Sequence, residues 1–74
     1  MPKLPRPTGK RLLAALKKLG FVEIRVRGSH HFVAHPDGRR SVVPVHAGET
    51  IGPGLLSQIL TDTEISVETL LEVL

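Results

Sequence analysis

A chain of 74 residues is short enough to form only one domain, because so small a core cannot be divided between two units. It has no cysteine, which excludes disulfide stapling and thiol chemistry and leads us to expect a reducing, cytoplasmic setting; no apolar run approaches the roughly 20 residues that cross a bilayer, and no signal-peptide pattern opens the chain. All 10 Lys and Arg fall within residues 1–40, against only Glu23 and Asp37, whereas residues 41–74 hold Glu49, Asp62, Glu64, Glu68 and Glu72 and no Lys or Arg.

Such segregation makes one half of the molecule attractive to phosphates, although a solvated charged surface is the plainer reading of the same residues. Pro2, Pro5 and Pro7, interleaved with Lys3 and Arg6, predict an extended, mobile, basic lead-in over residues 1–7, and a single domain over 8–74. Thr8 suits a helix N-cap. Leu12, Leu13, Leu16 and Leu19 then share one face at helical spacing until Gly20 stops the helix, with Lys10, Arg11, Lys17 and Lys18 on the other face.

From Phe21 the period changes to two: Val22, Ile24 and Val26 alternate with Glu23, Arg25 and Arg27, predicting a half-buried strand. Arg27, Gly28 and Ser29 make a turn, and a second strand runs from about His30 to His35. Pro36, Asp37, Gly38 and Arg39 supply the next turn, and Arg40 to Val45 is a third strand that Pro44 either ends or marks as an edge. Pro53 opens a brief second helix through Leu55, Leu56, Ile59 and Leu60. Ser66 caps a last one carrying Val67, Leu70, Leu71 and Leu74, with Glu68 and Glu72 facing out. This order predicts an α+β two-layer sandwich, α-β-β-β-α plus a short C-terminal helix, whose three-stranded antiparallel sheet is covered on one face. It is compatible with a double-stranded-RNA-binding-domain-like arrangement, which does not by itself set the function.

Three of the four histidines, His30, His31 and His35, lie in or beside the second strand. Strand alternation puts His30 with Phe32 and Ala34, and His31 with Val33 and His35 on the opposite face. If Phe32 packs under the helices, His30 stands on the helix side near the strand's beginning, partly desolvated at the rim. Imidazole exchanges protons near neutral pH, so His30 has the chemistry to take the proton of a 2′-hydroxyl or to protonate a leaving 5′-oxygen, with Lys10 and Arg27 stabilising the phosphorane-like charge. A hairpin cap or a core hydrogen bond is the alternative for the same residue. A metal held by His31, His35 and His46 is disfavoured, because same-face residues four apart on a strand are about 13 Å from one another. Ser29 beside His30 lacks an evident orienting acid or oxyanion hole, and Gly52-Pro53-Gly54 fits neither a P-loop nor a dinucleotide fingerprint.

The run Gly28-Ser29-His30-His31-Phe32 resembles the HicA family of bacterial and archaeal toxins, also called YcfA-like proteins. The resemblance starts at Thr8-Gly9-Lys10 and continues through Leu19-Gly20-Phe21, His35-Pro36, Val43-Pro44-Val45-His46 and Ile59-Leu60. It departs at Gly54-Leu55-Leu56, where the family often has Gly-Thr-Leu, and in the proline-rich start. It implies a double-stranded-RNA-binding-domain-like fold, cleavage of messenger RNA and a HicB-type antitoxin covering the site; from the histidine chemistry above, no metal or other cofactor is expected. By the same resemblance the histidine after Gly-Ser, His30, is catalytic; Lys10, Arg27 and Ser29 are expected to contact RNA, as is His46 by its matching loop, where a loop-ordering hydrogen bond is an equal alternative. Two alternatives from other classes stand beside it: a non-catalytic RNA-binding module using the same basic half, and a protein-interaction domain whose Glu64, Glu68 and Glu72 dock a basic partner.

Overall fold

Six elements follow one another in the computed structural model, which describes residues 3–74: α1 (Gly9–Lys18), β1 (Val22–Arg27), β2 (His30–Ala34), β3 (Arg40–Pro44), α2 (Pro53–Thr63) and α3 (Val67–Val73). Pro2, at the start of the expected lead-in, lies outside the described residues. Met1 lies outside them too; among the described residues the segment is held at two points: Leu4 packs against the core, and Pro7 is buried with its carbonyl accepting the Ile51 N–H at 2.7 Å. An isolated antiparallel bridge between Thr8 and Thr50 extends this attachment to the first helix. The expected mobile lead-in is therefore corrected for Leu4 and Pro7. Their apolar surface has a place to go against the core.

Thr8 caps α1 as its side chain requires, its Oγ accepting the Arg11 N–H at 3.2 Å. Leu12, Leu13, Ala15 and Leu16 face inward, and Gly20 leaves the helix with φ of 96°, a conformation costly for any residue with a Cβ. Ser66 caps α3 in the same manner, accepting the Thr69 N–H at 3.1 Å. The second helix is longer than expected, at 11 residues. Its last turn holds Thr63, fully buried, whose hydroxyl donates to the Ile59 carbonyl at 2.7 Å and so needs no further partner.

The three strands form one antiparallel sheet in the order β1-β2-β3. Val33 opposes Ser41 and His31 opposes Val43 across β2 and β3. Val33 and Val43, fully buried, join Leu12, Leu16, Leu56, Ile59 and Leu70 in the core. Each such side chain contributes about 1.5–3 kcal/mol by leaving water. The covered face of β2 is therefore the one bearing His31 and Val33, and Phe32 lies on the other.

The expected half-burial of β1 is also corrected. Val22, Ile24 and Val26 are 57%, 56% and 49% exposed, because α1 and α2 both pack over β3, at the opposite edge of the sheet. The regular alternation fails as well. The register slips between Glu23 and Arg25, so Ile24 is a bulged residue without a partner. Glu23 opposes Val33 and Val26 opposes His31, which places Glu23 and Val26, three apart in sequence, on the same helix-covered face. Arg25 and Arg27 oppose Phe32 and His30 on the open face.

Candidate functional site

Three segments meet at one end of the sheet. The first is the N-terminus of α1, the second the β1–β2 turn at Gly28 and Ser29, and the third the exit of β3 at Pro44 to His46. Gly9 makes the approach possible: a Cβ there would overlap the carbonyl of Pro44. The Ser29 carbonyl accepts the Val45 N–H at 2.8 Å and ties the turn to the strand exit. His30 sits between Arg27 on β1 and Pro44 on β3, so Arg27 and His30 project from the same face as direct cross-strand neighbours. Lys10 follows Gly9 in the first turn of α1, and His46 follows Val45. Lys10, Arg27, His30 and His46 are exposed and Ser29 is half-buried. The fold thus gathers all five residues at this end.

The expected position of His30 is corrected. It was placed on the helix side on the condition that Phe32 packs under the helices, and Val33 and Val43 pack there instead. The partly covered, helix-side histidine is His31. Its Nδ1 donates to Glu23 Oε1 at 2.5 Å. An ionised carboxylate only accepts, so the proton of the neutral ring belongs on Nδ1. The hydrogen bond from His31 holds the Glu23 carboxyl below the usual carboxylate range; slight desolvation opposes this and the positive charge of Lys17 reinforces it. Lys17 ends a stripe of α1 that begins at Lys10 and passes through Ala14, at helical spacing.

This pair escaped the sequence reading, because Glu23 reaches the face of His31 only through the bulge. Eight residues separate the two side chains along the chain. The one available signal was the hairpin itself, in which Glu23 is near enough to be a cross-strand neighbour.

His35 belongs to a different cluster. Its ring meets Phe21 edge-on at 5.1 Å, and its Nδ1 stands 3.1 Å from Asp37 Oδ2. The Arg39 Nε donates to the same carboxylate at 2.9 Å while its guanidinium covers Phe21, and its Nη1 donates to the Thr63 carbonyl at 2.6 Å. Arg39 chiefly holds the Asp37 carboxyl below its ordinary range. These contacts order the β2–β3 turn against the end of α2. His31 and His35 thus meet separate carboxylates, and no three His, Cys, Asp or Glu among the described residues converge as metal ligands.

The basic half is divided too. Arg11 Nη2 donates to the Leu74 carbonyl at 2.8 Å and Lys18 Nζ to the Val73 carbonyl at 3.1 Å, so these two cations satisfy the end of α3. Together with Arg39 they serve the fold. Lys10, Lys17, Arg25, Arg27 and Arg40 point to solvent. Among the described residues no helix is long and apolar enough to cross a membrane.

No curated protein matches the sequence. The family model described as the HicA toxin of bacterial toxin–antitoxin matches residues 9–65, from the first residue of α1 into the α2–α3 connection. With that match extending over well more than half of its residues and the α-β-β-β-α order in place, the chain belongs to the HicA family of toxins from toxin–antitoxin systems.

Proposed function

We propose that this toxin is an endoribonuclease, an mRNA interferase that cleaves RNA in the cytoplasm by histidine acid–base catalysis, needs no metal ion, and is restrained by a HicB-type antitoxin. The observation that supports the reading is the close approach of Gly9 to Pro44 and of Ser29 to Val45, which brings the first turn of α1, where Lys10 lies, to the end of the sheet where Arg27 and His30 are cross-strand neighbours. In the reaction a histidine takes the proton of a 2′-hydroxyl. The 2′-oxygen bonds to phosphorus, the bond to the 5′-oxygen breaks, and the leaving oxygen takes a proton from water while the imidazolium returns its own to solvent. The products are a 2′,3′-cyclic phosphate and a 5′-hydroxyl. Lys10 and Arg27 stabilise charge on the phosphorane, and Ser29 and His46 hold the RNA strand.

Family resemblance assigns the proton transfer to His30, with Arg27 as its cross-strand neighbour. A second reading assigns it to His31, and its hydrogen bond to Glu23 favours it, since a carboxylate behind an imidazole orients the ring and sets its tautomer. The two residues lie on opposite faces of β2 and do not flank one phosphate.

The test is cleavage of a labelled single-stranded RNA in chelator by the parent, His30→Ala and His31→Ala, each matched by circular dichroism. The variant that removes the proton-transfer group loses roughly 10²- to 10⁴-fold in rate. Equal rates in all three would defeat both assignments. Salt-sensitive binding with no cleavage by the parent would instead describe a non-catalytic RNA-binding module.

A further inference from the structure

The open face of the sheet carries an apolar groove of about 450 Å³, bordered by α2, whose Phe32 is the next residue after His30 on that face of β2. Ile24, Phe32 and Val42 make its floor and Leu55 its helical wall. Ile24 and Leu55 are 56% and 43% exposed, a large apolar commitment for one face of so small a domain. The bulge in β1 contributes directly, since Ile24 is the extra residue and lines this groove. Arg25 lies with its guanidinium 6.0 Å from the Phe32 ring centroid, and Arg40 stands on β3 at the opposite border. The groove has one carboxylate, Asp62, which already accepts hydrogen bonds from Ser41 Oγ and Gln58 Nε2.

We propose that this groove is the docking surface for the protein partner of the toxin, and that the partner supplies a segment of apolar side chains bracketed by carboxylates. The apolar side chains fill the floor formed by Ile24, Phe32, Val42 and Leu55, and the carboxylates meet Arg25 and Arg40 at its border. Complementary charge decides the sign of the partner. Aliphatic side chains decide its class: Ile24, Val42 and Leu55 have no planar surface on which a base can stack, and Phe32, the one aromatic side chain here, is shared with Arg25. The edge position of β1 agrees with this, because its outer backbone groups lack a neighbouring strand among the described residues. The proposal rests on the toxin reading only in taking the antitoxin as partner, and it holds whichever histidine moves the proton.

The experiment uses the full chain and a HicB-type antitoxin. Dissociation constants are measured for the parent, Ile24→Glu, Leu55→Glu and Arg40→Glu, and hydrogen exchange is compared for the parent alone and in complex. RNA cleavage by each free variant is recorded in parallel. The expected result is affinity lower by roughly tenfold or more in each variant, slower exchange in β1 and α2 of the complexed parent, and cleavage within about twofold of the parent. Hydrogen exchange needs no substitution, so it decides the matter even where a variant folds poorly. Parent-like affinity in all three variants, or no slowing in β1 and α2, overturns the proposal. Groove substitutions that abolish RNA binding but leave antitoxin binding intact overturn it in favour of an RNA surface. Loss of a dimer on substitution, with antitoxin affinity unchanged, overturns it in favour of self-association. A parent that binds the antitoxin through this groove yet cleaves no RNA supports the docking surface and sinks the nuclease reading alone.

Discussion

His31 and Glu23 face each other across the first hairpin at 2.5 Å, and the contact exists because a single bulged residue brings Glu23 onto the helix-covered side of β1. A carboxyl held below its ordinary range is ionised in the folded chain at pH values where the unfolded chain has begun to bind protons. Its stabilisation is therefore complete above the ordinary carboxylate pKa of roughly 4 and is lost as pH falls through the lowered folded value. Lys17 on α1 and His31 on β2 are the charged partners involved. We expect Glu23→Gln to be less stable than the parent near neutral pH and to approach it below about pH 4. Urea midpoints for both proteins across pH 2 to 7 check this. A difference that grows on acidification would contradict it.

Two glycines test whether the close contact at the histidine end is needed. Gly9→Ala gains helix propensity of at most about 1 kcal/mol, but its new methyl group meets the backbone carbonyl of Pro44, which cannot rotate away. Overpacking of this kind costs about 1–3 kcal/mol, so the net change is destabilising. Gly54, in the first turn of α2, has open space around the same position, and Gly54→Ala is expected to be neutral or to stabilise by up to about 1 kcal/mol. Chemical denaturation of the pair decides it; equal effects would mean that Gly9 does not set the approach of α1 to β3.

RNA affinity should separate the exposed cations from those used by the fold. If Arg27 and Lys10 each meet a phosphate as proposed, Arg27→Ala and Lys10→Ala are each expected to reduce the slope of log affinity against log salt by about 0.7 for a single strand. Arg11→Ala leaves that slope unchanged and lowers stability instead, because its guanidinium is hydrogen-bonded to the Leu74 carbonyl. Fluorescence anisotropy with a labelled RNA from 50 to 300 mM salt makes the comparison. A slope reduced by Arg11→Ala as much as by Arg27→Ala would show that Arg11 also contacts the RNA.

Much of the molecule follows from residues near one another in sequence. The caps at Thr8 and Ser66, the stop at Gly20, the Gly28-Ser29 and Asp37-Gly38 turns, the period of the first helix and the end of β3 at Pro44 all depend on local torsions and local hydrogen bonds. The Gly-Ser-His-His run in the first hairpin carried the family resemblance for the same reason, since the motif is contiguous. Even so, the second helix was read short: Thr61, Asp62 and Thr63 show no apolar repeat, and Thr63 is stabilised there only because the core accepts it and its hydroxyl bonds back to Ile59.

What the chain left to its tertiary structure was decided by parity and by distance. A strand offers two faces of equal standing, and whether Phe32 or Val33 goes under the helices depends on where α1 and α2 cross the sheet. That choice moved His30 to the open face and His31 to the covered one. The bulge at Ile24 then reversed the alternation within β1, giving His31 its carboxylate and leaving Ile24 in an exposed groove. Charge behaved likewise: composition counted the basic residues, but only the folded chain divides Arg11, Lys18 and Arg39, which close α3 and the end of α2, from Lys10 and Arg27 at the open end of the sheet. Local torsions set the elements, while register and packing between distant segments set the faces, and the candidate chemistry depends on the faces.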